Sequence, residues 1–532
     1  MNTYITTPIY YASGSPHLGH AYTTLLADGY SRYLRLKGDG VLLLTGTDEH
    51  GQKIERTAEK YGSEVNAFVD RISQEFRQLW LDLDIQIDIF KRTTEASHVA
   101  VALEFWQRLH ANGDLYRGEY SGLYCVECEQ YFTSGNVCPT HKVALEQYTE
   151  SCWFFRLSQY RQLLVKHIET HPSFIQPVQR KNEVLSFLRL NPLRDLAVSR
   201  GSTNWGIPVP GDESQVLYVW IDALVTYLSG LSGLDSVRSK NSGLKNNGTG
   251  DAGLTDQSEP QQLPGPEDWW SGAHHFIGKD ILLFHGVYWP ALLISAGYEL
   301  PRSIIVNGWL TVESEKISKS RPATVIDPRE LTATIGIDGL RYYLYSQVGL
   351  GQDLDFNQAQ AIQTINADLA NNIGNLVGRV VGLAVKYHKG VIHAPVTSTA
   401  IPDPWRGVEP ALVDNLQTAI TSFEQHLDNF EFARASKVIT GCSSELNAWL
   451  QKHQPWKVED TAVREHLLWQ ACVSIRCLSI LLSPLVPLTA LKIRRALGLD
   501  DTARWAEFST QVTHFTLALS EPIFVRIDSR VN

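Results

Sequence analysis

The first fifty residues constrain the fold most. Asn2–Thr6 is short, β-branched and aromatic, the composition of a strand. The loop Ala12-Ser13-Gly14-Ser15-Pro16 follows, and Leu18, Ala21, Leu25, Tyr30 and Tyr33 then recur at roughly helical spacing to about Leu36. Val41–Leu44 is a continuous apolar run bounded by Gly40 and Gly46, the pattern of a strand buried on both faces. Strand, helix and strand in that order open a parallel α/β fold, whose ligand crevice lies at the carboxyl ends of the strands. His17, His20, Asp48 and His50 all fall near those ends.

At 532 residues the chain exceeds a single domain of about 150 and predicts several. Hydrophobic residues at 43% and charged residues at 20% exclude global disorder. No uninterrupted apolar run reaches the roughly 18 residues of a membrane helix; the richest, Leu478–Leu491, is broken by Ser483, Pro484 and Pro487. The start, MNTYITTPIYY, has no basic segment followed by an apolar one and so no signal peptide. A formal net charge of −10 argues against a protein that coats nucleic acid everywhere and leaves room for a local basic face. The expectation is a cytoplasmic protein without membrane contact. Between Leu228 and Trp269 the composition collapses to Gly, Ser, Asn, Asp and Gln, a low-complexity surface insertion over 229–267. From about Asn366 the sequence reads as helical almost to its end.

Three motifs carry chemistry. Cys125-x2-Cys128-x9-Cys138-x2-His141 lies in a segment, about 120 to 145, that reads as loop. Two short pairs on tight turns can converge on one tetrahedral Zn2+, and four protein ligands make such a site structural. Cys152, Cys442, Cys472 and Cys477 lack this spacing and read as core thiols. Pro16-His17-Leu18-Gly19-His20 stands where a helix begins, and free N–H groups, two imidazoles and a glycine suit a phosphate there. Glu315-Lys316-Ile317-Ser318-Lys319-Ser320 could clamp a polyphosphate with its two lysines. In isolation, the histidine pair would more often be a surface pair and the lysine run a solvated loop.

Together, HLGH, KISKS and the intervening knuckle resemble the class I aminoacyl-tRNA synthetases. The words TTPIYYASGSPHLGHAYTT, LLTGTDEHGQKI, SRGSTNWGIPVP, LYVWIDALVTYLSG, HHFIGKDILLFHGVYWPALL and KISKSRPATVIDP narrow the resemblance to methionyl-tRNA synthetases. It spans residues 4 to about 525 outside the low-complexity insertion.

The resemblance implies activation of L-methionine with ATP to methionyl-adenylate, then transfer to tRNA(Met), initiator and elongator, with Mg2+ accompanying the nucleotide. It implies ATP binding by His17, Gly19, His20, Lys316 and Lys319. Asp48 matches the residue that takes the substrate's ammonium. Ile9, Tyr11, Trp220, Ala223, Leu224, Tyr227, Ile281, His285 and Trp289 match the methionine pocket. Spacing agrees, since 220, 223, 224 and 227 share a helical face, as do 281, 285 and 289. Asn375, Arg379 and Trp456 match residues that read the anticodon, with Asn447 in the same helical region.

The expected architecture is a Rossmann-like catalytic domain over 1–115 and 206–300, interrupted by a connective insertion with the knuckle over 116–205. A lysine-loop and stem-contact region over 301–360 and an all-α anticodon-binding domain over 361–532 complete it. Two departures stand in the lysine loop. Ile317 replaces the usual methionine, and Arg321-Pro322-Ala323 replaces the commoner Leu-Gly-Asn or Leu-Gly-Thr. The sequence stops soon after Pro522-Ile523-Phe524-Val525-Arg526, without the additional dimerisation module of some members, and the expectation is a monomer. Rival readings are another class I synthetase and a catalytically dead paralogue that only binds tRNA. Intact HLGH and both loop lysines speak against the second.

Overall fold

A computed structural model describes residues 2–126, 130–132, 135–139, 142–232, 265–312, 315–316, 325–395, 405, 407–518 and 521–528. The chain divides into two compact units. The first comprises Met1–Pro16, Val41–Leu81 and Gln86–Asn307; the second comprises His17–Gly40, Asp82–Ile85 and Gly308–Asn532.

The first unit is built on a six-stranded sheet. Along the chain its strands are β1 (Asn2–Tyr11), β2 (Gly40–Asp48), β3 (Ile89–Arg92), β7 (Ile175–Gln176), β12 (Ala273–Gly278) and β13 (Ser303–Asn307). In space their order is β3-β2-β1-β12-β13-β7. The β1–β12, β12–β13, β13–β7 and β2–β3 pairs are parallel. The central strands are almost wholly buried, as their apolar runs require. β2 does not stop at Gly46 but continues to Asp48. The glycine is needed within the strand, because a Cβ there would stand 1.9 Å from the carbonyl oxygen of Lys91, its partner in β3.

The cysteine-rich segment is not loop throughout: 120–125 and 130–132 lie in strands, while 126, 135–139 and 142–145 are irregular. β4 (Leu115–Cys125), β5 (Gln130–Phe132), β6 (Glu146–Phe155) and β8 (Leu196–Ala197) form an antiparallel sheet in the order β5-β4-β6-β8. The β4–β6 ladder alone pairs Leu115 with Phe155 through Tyr124 with Glu146. A smaller sheet, β9 (Ser199–Arg200), β10 (Pro208–Val209) and β11 (Asp212–Leu217), leads into the helix Val219–Ser229.

The second unit contains the helix Leu18–Lys37 and a three-stranded sheet of β14 (Leu310–Val312), β15 (Glu315–Lys316) and β16 (Leu354–Asp355). Long helices follow at Asn375–His388, Pro410–Asp428, Phe432–His453, Thr461–Leu482 and Pro487–Ala496. They pack on one another as an α domain. Its all-helical reading needs one correction, since β17 (Val391–His393) and β18 (His514–Thr516) pair antiparallel within it. Thr461–Leu482 is long and apolar enough to cross a membrane by length and composition, but 83% of its apolar window is buried against the protein itself. The helix Leu18–Lys37 is bolted into this unit by charge. Arg341 Nη2 lies 2.5 Å from Asp28 Oδ2, both side chains are buried, and Arg341 Nε donates to the Leu485 carbonyl.

Candidate functional site

In the first unit, the carboxyl ends of β1 and β2 and the helix Val219–Ser229 gather the residues predicted to form one pocket. Ile9 and Tyr11 end β1, and Asp48 ends β2. The Ala12 N–H donates to the Asp48 carbonyl at 2.8 Å, tying the two strand ends together. Ala223, Leu224 and Tyr227 are buried, whereas Trp220 is half-buried and stacks on Phe284 with centroids 3.7 Å apart. The expected regular helix through 281, 285 and 289 is instead three pieces. A single turn at Lys279–Ile281 leads into a widened turn at Phe284–Tyr288 and then into an α-helix from Trp289. Such wide turns recur at functional sites.

Hydrogen bonds set the tautomers in this pocket. The Ile281 carbonyl can only accept, so His285 Nδ1, 3.0 Å away, carries a proton; Nε2 then accepts from the Tyr227 hydroxyl at 2.8 Å. The Trp289 indole can only donate, so His275 Nε2 accepts it at 3.3 Å and His275 Nδ1–H donates to Thr6 Oγ1 at 2.6 Å. Burial lowers His285 to about 4 and His275 well below the ordinary range, and both rings are neutral at pH 7. Tyr227 stacks on His275 at 4.4 Å and meets Trp289 edge-on at 6.1 Å. The wall is therefore aromatic, polarizable and uncharged, with a nine-tenths-buried carboxylate, Asp48, at the end of β2.

The second unit holds the histidine motif. His17 is the N-cap of Leu18–Lys37, and its Nδ1 accepts the Gly19 N–H at 3.2 Å. His20 Nδ1 accepts the His17 N–H at 3.0 Å, closing a reciprocal capping box built from imidazoles. Each neutral ring consequently keeps its proton on Nε2, and the two rings stack with centroids 3.7 Å apart. The first turn contains no acidic residue to offset the helix dipole. A Cβ on Gly19 would lie 3.1 Å from the His17 ring, so the glycine makes room for the ring itself. Lys316 lies in β15 opposite Thr311 of β14. Lys319 and the remainder of the motif, residues 317–324, lie outside the described residues. Beyond them, the Ile326 carbonyl accepts the Leu18 N–H at 3.0 Å, so the chain leaving the lysine motif returns to the start of the histidine helix.

The three residues expected to face RNA lie in the helical part of the same unit. Asn375 is exposed at the start of its helix, and Arg379 is half-buried one turn later. Trp456 is half-buried in the single turn Pro455–Lys457, after Gln454 ends the preceding helix at φ 44°. The fold brings Arg379 and Trp456 together, with the guanidinium carbon 5.2 Å from the ring centroid. Asn447 is turned to another task, since its amide donates to the backbone and side-chain oxygens of Asn372 and to the Ser443 carbonyl.

Comparison with known proteins decides the family. The model for "tRNA synthetases class I (M)" matches residues 3–152 and 144–381, and that for the anticodon-binding domain of methionyl tRNA ligase matches 402–525. The methionine--tRNA ligase of Thermosynechococcus vestitus is 38% identical over 98% of this chain and 97% of its own length. That of Caldanaerobacter subterraneus subsp. tengcongensis is 37% identical over 99% of this chain and 79% of its own. This chain belongs to the methionine–tRNA ligase family. The crystal structure of Mycobacterium tuberculosis methionyl-tRNA synthetase bound by methionyl-adenylate superposes with a TM-score of 0.87 at 33% identity, covering 99% of this chain and all of that one. The protein is thus a class I aminoacyl-tRNA synthetase, an ATP-dependent ligase with a parallel-sheet catalytic fold and a helical anticodon-binding domain.

Two of the synthetase's four predicted zinc ligands, Cys128 and His141, lie outside the described residues. Among the described residues no group of three or more His, Cys, Asp or Glu could hold a metal ion. Cys125 and Cys138 are described, and both are fully buried. Cys125 ends β4, and the Cys138 carbonyl accepts the Lys142 N–H at 2.9 Å. Two buried thiols are fitting donors for a borderline-soft cation. Cys152, Cys442, Cys472 and Cys477 are buried core thiols as expected, and burial pushes Cys152 up to about 11 and Cys442 and Cys477 up to about 12. His275, Phe284, His98 and Asp222 were not singled out by sequence reasoning. His275 and Phe284 lie inside a quoted motif, HHFIGKDILLFHG, and only the bond from Trp289 and the stack on Trp220 distinguish them from their neighbours.

Proposed function

We propose that this synthetase activates L-methionine with ATP and charges tRNA(Met), initiator and elongator, by an adenylyl transfer followed by an acyl transfer. In the first, a methionine carboxylate oxygen attacks the α-phosphorus of ATP. The bond to the β-phosphate's bridging oxygen breaks, and pyrophosphate leaves. In the second, a tRNA hydroxyl attacks the activated carbonyl, and AMP leaves. Catalysis is positioning plus stabilisation of phosphoryl charge, with no covalent intermediate on the protein. The observation that carries the methionine reading is the neutral aromatic wall of Tyr227, His275, His285 and Trp289. It offers no charge to a polar side chain, and its rings suit a thioether.

Ile9, Tyr11, Trp220, Ala223, Leu224 and Ile281 complete that pocket, and the Asp48 carboxylate takes the ammonium. His17 and His20 turn Nε2–H donors to the nucleotide phosphates at a helix N-terminus, with Gly19 between them and Lys316 and Lys319 clamping the β- and γ-phosphates. Mg2+ bound with ATP neutralises phosphate charge. Asn375, Arg379 and Trp456 read the anticodon, Trp456 by stacking on an unstacked base. Cys125, Cys128, Cys138 and His141 hold one structural Zn2+. We assign 1–115 and 206–300 to the catalytic domain, 116–205 to the connective insertion, 301–360 to the lysine-loop and stem-contact region and 361–532 to the anticodon domain. The enzyme works as a cytoplasmic monomer.

ATP–pyrophosphate exchange with each amino acid in turn tests the reading. Methionine is expected to drive exchange. Exchange driven by another amino acid and not by methionine overturns the specificity, and no exchange with any of them favours a tRNA-binding protein.

A further inference from the structure

Asp222 occupies the helix Val219–Ser229 amid the pocket residues, yet its carboxylate is bound elsewhere. His50 Nδ1 lies 2.6 Å from Oδ2, and His98 Nε2 lies 2.7 Å from Oδ1. His98 Nδ1 reaches Ser229 Oγ at 2.8 Å, two turns further along Asp222's own helix. The side chains of Asp222 and His98 are buried and that of His50 is 10% exposed. A carboxylate this deep is raised by burial alone; two imidazole donors reverse the effect and hold it at about 2.

The other end of the bridge is the turn that follows β2. His50 stands two residues after Asp48. Between them Glu49 is fully buried, with its carboxylate on Arg92 Nε and Nη2 at 2.7 and 3.0 Å and on Thr94 Oγ1 at 2.6 Å. The Trp205 indole donates to the Glu49 carbonyl. The turn is thus pinned on one side by Arg92 and on the other by Asp222. The second anchor alone belongs to the helix that carries Trp220, Ala223, Leu224 and Tyr227.

We propose that Asp222 is a positioning residue for the amino-acid substrate, holding the Asp48 carboxylate at a set distance from the side-chain pocket through His50. The proposal rests on the assignment of Asp48 and the Val219–Ser229 face to methionine. An α-amino acid gripped at its ammonium and at its side chain reads the distance between the two grips. A bridge that fixes this distance selects side-chain length as well as affinity.

Exchange kinetics on five variants test this. His50→Asn keeps a neutral donor near the position of Nδ1, whereas His50→Ala removes it. Asp222→Asn keeps the volume and removes the charge, and His98→Gln keeps a donor near the position of Nε2. Asp48→Asn tests the pocket itself. His50→Ala and Asp222→Asn are expected to raise the KM for methionine about 10- to 100-fold, the loss of one hydrogen bond to a charged group. kcat at saturating methionine and the KM for ATP should stay within about twofold. The preference for methionine over homologues one methylene shorter or longer should fall in these two variants, whereas His50→Asn should restore most of the affinity lost in His50→Ala and His98→Gln should retain most of the parent's. Loss of kcat, both KM values and melting temperature together in His50→Ala and Asp222→Asn, or no rescue by His50→Asn, overturns the proposal. An unchanged methionine KM in both variants while Asp48→Asn raises it overturns the bridge alone. An unchanged KM in Asp48→Asn overturns the pocket assignment itself, and the bridge with it.

Discussion

Acidification from pH 7 to pH 5 should weaken the first unit through its buried histidines before its carboxylates respond. His285 and His274 are 1% and 7% exposed, and burial lowers them to about 4 and about 3. His274 Nδ1 is bonded to Ser303 Oγ at 2.6 Å and sits on β12 beside His275. In the unfolded chain the same rings titrate near 6.5. The unfolded state therefore binds the additional protons, and stability falls as the pH falls. The contribution is complete above about pH 6.5 and is lost progressively down to the folded values. At pH 5 each histidine has lost about 1.5 pH units of linkage, which at about 1.4 kcal/mol per unit is about 2 kcal/mol. Burial lowers His275 in the same direction, with His285 and His274 beside it. His285 and His274 together reach about 4 kcal/mol, a large share of the roughly 5–15 kcal/mol that holds a domain folded. Asp222, held at about 2 by His50 and His98 against its burial, adds almost nothing until the pH approaches 4. 15N-histidine spectra should show His275 and His285 as neutral Nδ1–H tautomers from pH 7 to pH 5. Over the same range the urea midpoint of the first unit should fall. Imidazolium signals from these rings by pH 6, with an unchanged midpoint, would refute the argument.

Arg379→Ala and Trp456→Ala should impair tRNA charging by about 1–3 kcal/mol each while leaving methionine-dependent pyrophosphate exchange intact; equal loss of both reactions would mean that the stacked pair supports the fold. Because it keeps an aromatic ring beneath Arg379, Trp456→Phe should be milder than Trp456→Ala in the same charging assay. Gly19→Ala should displace the His17 ring and raise the KM for ATP without changing that for methionine, measured by exchange at varied ATP. Cys138→Ala should release Zn2+, detected by metal analysis of the purified protein, and lower activity through lost geometry. A zinc-free variant with full activity would reject the structural role.

What the sequence disclosed depends on how far apart the participating residues stand. The β1–helix–β2 opening was legible because each element's pattern lies within a few residues: β-branched Asn2–Thr6, the spacing of Leu18 to Tyr33, the run Val41–Leu44. The histidine cap was legible for the same reason, although only the structure shows that the rings cap each other and so present Nε2–H. The antiparallel ladder around Cys125 was missed because the cysteine spacing drew the reading to turns, while the ladder's stability comes from pairing with residues 146–155. The β17–β18 pair was missed because three residues carry no period, and Val391–His393 finds its partners 121 to 125 residues later. The interval of four at Ile281, His285 and Trp289 suggested a regular helix, where the structure inserts a widened turn at Phe284–Tyr288.

Strand order explains why the pocket's inner bonds were out of reach. The sheet places β12, not β2 alone, beside β1, and the parallel register sets Thr6 opposite His275. That register permits the bond from His275 Nδ1–H to Thr6 Oγ1 across 269 residues, and with it the tautomer that lets Nε2 accept the Trp289 indole. A slip of one residue would turn His275 to the opposite face of the sheet and bring His274 into its place. His274 is instead committed to Ser303 on β13. The paired histidines are thus divided by the alternation of the strand, one serving the pocket and the other the neighbouring strand. The His274–His275 dipeptide contains both side chains, but only the position of β12 between β1 and β13 decides which of them lines the aromatic wall.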